Sequence, residues 1–237
     1  MLRAVVADLH VGQEGGDLDR FMALTAELSR RAPGEVVFLG DLFRTLVGFE
    51  RFWDETIRTG LRALEAVRRA GTRVILVEGN RDFFLDVREL SPFRDAWGMV
   101  HSFSAGGRRF LLEHGDLINH NDRSYRFWRA VSKSGAARLW AGYLPRLLAQ
   151  RIVRGTEARL SRTNFTSRRV LPVHDLEAHA RRHFAAGVDV VLWGHFHRPW
   201  RLDEGQREAI ALPAWAETGA VAWIDAAGRL SIEAGWE

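Results

Sequence analysis

The chain has 237 residues, 27% of them charged, a formal net charge of +4 and no cysteine. Without cysteine, disulfides, thiolate nucleophiles and thiolate metal sites are excluded, which fits a cytosolic setting. No run of about 18 apolar residues marks a membrane span, and Leu2-Arg3-Ala4-Val5-Val6-Ala7 is too short and wrongly flanked for a signal peptide. Lys133 is the only lysine among 34 basic residues. The arginine excess reads first as a compositional bias of the genome; its functional reading is affinity for phosphate, which guanidinium grips bidentately. A charge this near balance does not build the phosphate-tracking groove a nuclease needs, so no nucleic-acid partner is expected.

Arg3 to Ala7 reads as an apolar strand running into Asp8-Leu9-His10. Asp17 to Arg31 has helical spacing in Leu18, Phe21, Met22, Leu24 and Leu28, with Asp17 as the expected cap and Pro33-Gly34 as the stop. Val36 to Leu39 is the next strand, ending in Gly40-Asp41. Trp53 to Arg69 predicts a second helix closed by Gly71, and Arg73 to Val77 a third strand leading to Glu78-Gly79-Asn80-Arg81-Asp82. This β-α-β-α-β order implies an α/β fold with a parallel sheet and helices on its faces.

Val100 to Ala105 and Arg108 to Glu113 predict a hairpin around Gly106-Gly107, its second strand running into His114-Gly115-Asp116. Residues 121–170 are dense in Arg, Trp, Tyr and Leu, with helical periodicity in Tyr125, Phe127, Trp128 and Val131, then in Leu139, Tyr143, Leu147 and Leu148. They predict a two- or three-helix insertion over one edge of a core built from residues 1–120 and 171–237. Asp175 to Ala185 is a core helix, and Val190 to Trp193 a buried strand broken by Gly194 before His195-Phe196-His197. Glu208 to Leu212, Gly219 to Ile224 and Arg229 to Ala234 predict closing strands, with a turn at Ala226-Ala227-Gly228.

Five apolar runs thus end in polar residues of one chemical kind: Asp8-x-His10, Gly40-Asp41, Gly79-Asn80, His114-Gly115 and Gly194-His195-x-His197. Singly, each is an ordinary turn or a core histidine. Together they supply two carboxylates, a carboxamide oxygen and four imidazoles, too many for one ion. The set suits two divalent cations about 3.5–4 Å apart with one carboxylate bridging. Mixed oxygen and nitrogen donors favour Mn, Fe, Zn or Ni; a pair of Mn²⁺ ions is the expectation carried forward.

These motifs, with Asp82 two residues after Asn80, resemble the signature of the calcineurin-like metallophosphoesterases and span most of the chain. The resemblance implies a four-layer αββα sandwich with a helical lid insertion. It implies that Asp8, His10, Asp41 and His197 hold one ion, that Asp41, Asn80, His114 and His195 hold the other, and that Asp41 bridges. Most members carry His after the Asn; this chain carries Arg81. Gly79-Asn80-Arg81-Asp82-Phe83-Phe84-Leu85 instead resembles the UDP-2,3-diacylglucosamine pyrophosphatases of lipid A biosynthesis, a branch of that family. His114-Gly115-Asp116 with Asp122 and Tyr125 agrees, as does the Ser161-Arg162-Thr163-Asn164 region.

That branch implies hydrolysis of the pyrophosphate of UDP-2,3-diacylglucosamine, at the α-phosphorus, to UMP and 2,3-diacylglucosamine 1-phosphate. Sequence carries no oligomer signal, and a monomer peripheral to the cytoplasmic face of the inner membrane is the default expectation. Asn80, Arg81 and His195 would be catalytic; they would bind substrate together with Asp122, Tyr125, Ser161, Asn164 and Arg168 or Arg169. Arg81 stays protonated at any working pH and so suits a charge clamp, not a general acid. Asp82 would orient a neighbour. The aromatic and aliphatic residues of the insertion, from Tyr125 to Leu148, would shelter acyl chains, and Arg138, Arg146, Arg151 and Arg154 would face anionic lipid. The same residues also allow a phosphodiesterase acting on a soluble nucleotide, or a binding scaffold that has lost catalysis.

Overall fold

Strict alternation along the strands splits the apolar residues among three cores. In β1 (Arg3–Val6), Ala4 and Val6 join one cluster while Val5, with Ala7 just beyond, joins another. Likewise in β2 (Glu35–Leu39), Val36 and Phe38 face one way and Val37 and Leu39 the other. In β4 (Arg73–Val77), Val74 and Leu76 oppose Ile75 and Val77. Strands buried on both faces in this way need cover on both sides. The structure, a computed structural model, describes residues 1–87, 90, 97–120, 122–153, 155 and 171–235. Ser161, Asn164, Arg168, Arg169 and Arg154 lie outside the described residues.

The first sheet runs in the order β13 (Leu230–Glu233), β12 (Val221–Ile224), β1, β2, β4, β6 (Trp97–Gly98). From β1 to β6 it is parallel; β12 and β13 add antiparallel. The second runs β10 (Trp200–Glu204), β11 (Arg207–Ala211), β9 (Val190–Trp193), β8 (Arg108–Glu113), β7 (Val100–Ala105), with β8, β9 and β11 parallel and a hairpin at each edge. A two-stranded ribbon joins β3 (Leu46–Val47) to β5 (Asp82–Phe83). Val5, Val37 and Ile75 of the first sheet meet Phe110, Leu112, Val190 and Leu192 of the second. Helices α1 (Asp17–Arg31) and α2 (Glu55–Arg69) cover the outer face of the first sheet. A third helix, Val173–Ala185, covers the second through Leu176, Ala180 and Phe184 against Val191, Trp193 and Ala209. The layers are therefore αββα.

Two local expectations need correction. Asp17 does not cap α1. Gly16 takes the cap position at φ 86°, while the Asp17 carboxylate accepts the N–H groups of Gly12 at 2.8 Å and Glu14 at 2.9 Å. One residue inside the helix, it faces back into the loop after His10 and orders it. Trp53 stands outside α2: Asp54 caps the helix through Ile57 N at 3.0 Å, and the Trp53 indole donates to Val47 O at 2.7 Å. Strand β10, unexpected from sequence, is an exposed edge with too little apolar alternation to announce itself.

Between β8 and β9 in sequence stand α3 (Arg123–Ser132), α4 (Gly135–Tyr143) and α5 over residues 146–153; Val173–Ala185 is therefore α6. Asp122 and Ser134 cap α3 and α4 through Tyr125 N and Ala137 N. Lys133, closing α3, donates to Glu78 at 2.5 Å and to Gly79 O at 2.7 Å. Among the described residues no helix is long and apolar enough to cross a membrane.

Candidate metal centre

The ends of β1, β2, β4, β8 and β9 fall at one rim of the sandwich, where open α/β sheets gather ligands. There the structure brings together Asp8, His10, Asp41, Asn80, His114, His195 and His197. Asp8, His10 and His197 form one group of possible ligand atoms, and Asp8, Asp41 and His114 another. Asn80 Oδ1 lies 3.0 Å from both His114 Nε2 and His195 Nδ1. Asp41 directs Oδ1 toward His114 at 3.7 Å and Oδ2 toward His10 at 4.0 Å, so it stands between the two groups.

Backbone strain marks the same residues. Asp8, His10, Asp41, His195 and His197 all have φ between 50° and 70°, in the left-handed region. A non-glycine residue there costs roughly 1–2 kcal/mol, and such strain collects where geometry serves function. Two glycines let the loops close. A Cβ on Gly194 would lie 2.8 Å from Asp8 Oδ2, and one on Gly79 would lie 2.4 Å from Asp41 Oδ1.

The polar contacts are those of residues gathered around cations. His197 Nδ1 donates to Glu217 at 2.8 Å, and His114 Nδ1 to Leu39 O at 2.9 Å. Each ring, when neutral, then turns a bare Nε2 lone pair inward: His197 toward His10 Nε2 at 3.0 Å, His114 toward Asn80 Oδ1. Asp8 Oδ1 is fully buried without a hydrogen-bond partner, with His114 and His197 nitrogens each 3.9 Å away. Lone pairs and a buried anionic oxygen converging on shared points fit divalent cations, with outer groups fixing each imidazole tautomer. These residues could hold two.

Charge follows from the packing. Burial raises the Asp8 carboxyl against the pull of His114 and His197. Burial works against the Asp41 carboxylate too, but His114, His10 and Arg81 overcome it and hold it below the usual range. Burial and the neighbouring His114 push His195 down to about 4, so it is a neutral donor at physiological pH. Asp82 accepts the N–H groups of Asp41 at 2.9 Å and Gly79 at 2.8 Å, tying two ligand-bearing loops together. Arg81 is 5% exposed; its N–H donates to Asp41 Oδ1 at 2.8 Å, and its Nη1 approaches Gln13 and Arg44 O at 3.4 and 3.3 Å.

Asp122 and Tyr125 sit beside this rim, not in it. Asp122 is spent as the cap of α3, and Tyr125 O–H donates to Asp116, which also accepts from Arg129 Nε at 2.8 Å. Glu217 and Gln13 were not foreseen. Glu217 lies on the one-turn helix α7 (Trp215–Thr218), with no motif around it to signal a role.

Against the β3–β5 ribbon is an apolar cavity of about 260 Å³. Val47, Phe83 and Phe84 line it from the core, Trp128, Val131 and Trp140 from the insertion. Of the other apolar residues expected there, Leu144 is buried, while Phe127, Leu139, Tyr143, Leu147 and Leu148 face outward.

A strained rim of Asp, Asn and His at parallel strand ends between two facing sheets defines a metallophosphoesterase. A profile of the calcineurin-like phosphoesterase family matches residues 1–199, and the chain belongs to that family. It is a metal-dependent hydrolase of phosphoester bonds. A UDP-2,3-diacylglucosamine hydrolase of Stenotrophomonas maltophilia is 30% identical over 96% of this chain and 96% of its own length. One from Ralstonia nicotianae is 32% identical over 89% of this chain and 82% of its own. Among solved structures, Vps29 of Chaetomium thermophilum matches with a TM-score of 0.51 at 12% identity, over 99% of this chain and 97% of that one, a likeness of fold alone.

Proposed function

We propose that this chain hydrolyses the pyrophosphate of UDP-2,3-diacylglucosamine, releasing UMP and 2,3-diacylglucosamine 1-phosphate. The observation that carries this reading is the apolar cavity, whose core wall is Phe83-Phe84, three residues on from the candidate ligand Asn80. A soluble nucleotide has no use for such a chamber; an acyl chain does. The names of the relatives support the same substrate.

Asp8, His10, Asp41 and His197 would hold one divalent cation and Asp41, Asn80, His114 and His195 the other, with Mn²⁺ as the native pair. When bound, such a pair acidifies water and polarises phosphoryl oxygens. Water oxygen bonds to the α-phosphorus while the bond from that phosphorus to the bridging oxygen breaks, its electron pair leaving on the sugar 1-phosphate and the water proton passing to solvent. His195, neutral at working pH, and Asn80 orient the phosphoryl group. Arg81 adds a permanent positive charge beside Asp41, facing the charge that builds on the phosphoryl oxygens. Trp128, Val131 and Trp140 exclude water from an acyl chain. Residues 121–170 act as a lid, and its proposed substrate-binding residues are Asp122, Tyr125, Ser161, Asn164 and Arg168. Outward-facing Leu139, Tyr143, Leu147 and Leu148 (50–83% exposed) rest a monomer on the cytoplasmic face of the inner membrane.

The test is UMP release from the diacylated substrate by metal-stripped protein with Mn²⁺ restored. UDP-glucose and bis(p-nitrophenyl) phosphate serve as comparators and Asp41→Ala as the inactive control. The expected result is turnover of the lipid far above both small substrates. Cleavage of the small substrates with the lipid untouched would overturn the assignment.

A further inference from the structure

The pleat of β8 sends Glu113 and His114 to opposite faces of the second sheet. His114 turns inward to the metal rim. Glu113 turns outward, under α6. There α6 presents His179 and His183, four residues apart and so on one face. Glu113 Oε1 lies 2.5 Å from His179 Nε2 and 3.7 Å from His183 Nε2, and the two Nε2 atoms are 3.0 Å apart. The Trp193 indole also donates to Glu113 Oε1, at 2.7 Å. Trp193 faces Glu113 directly in the β8–β9 register.

Protons close this arrangement only if a single His179 N–H is shared between Glu113 and the His183 lone pair. An imidazole nitrogen carries one proton or one lone pair, never both. If His179 Nε2 donates to Glu113, it has nothing left to accept a proton from His183 Nε2. If it does not donate, its lone pair faces a carboxylate. A cation at the common focus of the three atoms satisfies all of them at once. The rim shows the same signature, with His10 Nε2 and His197 Nε2 also 3.0 Å apart.

We propose that Glu113, His179 and His183 form a separate divalent-cation site, distinct from the rim and suited to Zn²⁺, Co²⁺ or Ni²⁺. Two imidazoles four residues apart on a helix with one carboxylate make a known zinc donor set. Zinc–nitrogen and zinc–oxygen bonds near 2.1 Å place tetrahedral ligands about 3.4 Å apart. The observed separations of 2.5, 3.0 and 3.7 Å bracket that value. The histidine side chains are 20% and 25% exposed, so the fourth position opens to solvent. Arg182 Nη2 approaches His179 Nδ1 at 3.1 Å. Loading requires that Nδ1 carry the proton, so the exposed Arg182 side chain turns away. The ion cross-links α6 to the end of β8, one residue before His114, and so braces the rim from behind.

The test is zinc content of the full chain after chelator stripping, zinc addition and desalting. Wild type is expected to retain three equivalents, and His179→Gln/His183→Gln two. Cobalt(II) gives a second readout: a chain carrying Asp8→Ala and His114→Ala keeps a tetrahedral visible band, which disappears when the two Gln substitutions are added. Circular dichroism establishes that each variant is folded. Two or fewer equivalents in wild type, or three retained in the Gln pair, would overturn the proposal. These readouts do not involve any substrate.

Discussion

Gly79→Ala isolates the contact between the two loops that bear Asp41 and Asn80. The added Cβ would lie 2.4 Å from Asp41 Oδ1, 2.6 Å from Asp41 N and 3.0 Å from Gly40 Cα. The carboxylate oxygen can rotate away, but the backbone nitrogen cannot, because Asp82 holds it at 2.9 Å. Reaching ordinary contact near 3.5 Å therefore needs a loop shift of about 1 Å. Gly79 lies outside the left-handed region, so backbone preference does not confound the result. Overpacking of this kind costs about 1–3 kcal/mol of stability. A catalytic group misplaced by about 1 Å costs on the order of 100-fold in rate. The assay compares kcat/KM for the diacylated substrate and for bis(p-nitrophenyl) phosphate, beside thermal unfolding. Both substrates are expected to suffer together, since the shift acts at the metal rim and leaves the apolar cavity alone. Gly135→Ala, where a Cβ meets nothing within 4 Å, is the control. A folded Gly79→Ala enzyme within about 3-fold of wild type would refute the claim that this contact sets the site geometry.

Three further outcomes are expected. Burial opposes the Glu113 carboxylate, but hydrogen bonds to His179 and His183 hold its pKa down, from 4.5 to about 2. A depressed acid stabilises the fold above its unfolded pKa and loses that stability as pH falls through the folded one. Chelator-treated wild type should thus lose about 3 kcal/mol between pH 4.5 and 2 that Glu113→Gln does not; parallel denaturation curves for the two would contradict this. Arg129→Ala removes the guanidinium from Asp116, a carboxylate only 4% exposed, and should destabilise by about 3 kcal/mol in urea unfolding. An unchanged midpoint would show that Tyr125 suffices. Trp140→Ala should raise KM for the lipid about 10-fold, equivalent to 1.4 kcal/mol of lost apolar contact, and leave the small diester unchanged.

The rim was legible because each of its residues follows an apolar run, and strand ends of a parallel sheet face one way. The residues alone implied a parallel sheet covered on both faces, as the run Val36-Val37-Phe38-Leu39 demands; the second sheet facing it was an expectation from the family resemblance. What escaped depends on contacts distant in sequence. Glu217 reaches His197 across 20 residues from a single helical turn. Asp17 looks like a cap until the loop after His10 is seen to offer it two amides. His179 and His183 have metal spacing on one helix, yet their partner follows only from β8 packing under α6. Left-handed φ at five rim residues has no signature in sequence, since Asp and His, though several-fold enriched in that region, still adopt it only in a minority of cases.

That strain bears on how the whole molecule must be built. Five left-handed residues at roughly 1–2 kcal/mol each amount to about 5–10 kcal/mol, the size of a typical domain's entire net stability. Such a rim persists only if its surroundings over-determine it. They do so from several directions: Asp82 ties Asp41 to Gly79, the His195 N–H donates to Asp8 at 2.7 Å, and His10 N–H donates to Asp41 O at 2.9 Å. Lys133 at the end of α3 adds a bond to Gly79 O, so the insertion is fastened to the very loop that carries Asn80. The position of α3 and the placement of Asn80 are therefore mechanically linked. On the proposed substrate, this is a physical reason for the enzyme to respond to the lipid portion as well as to the phosphates.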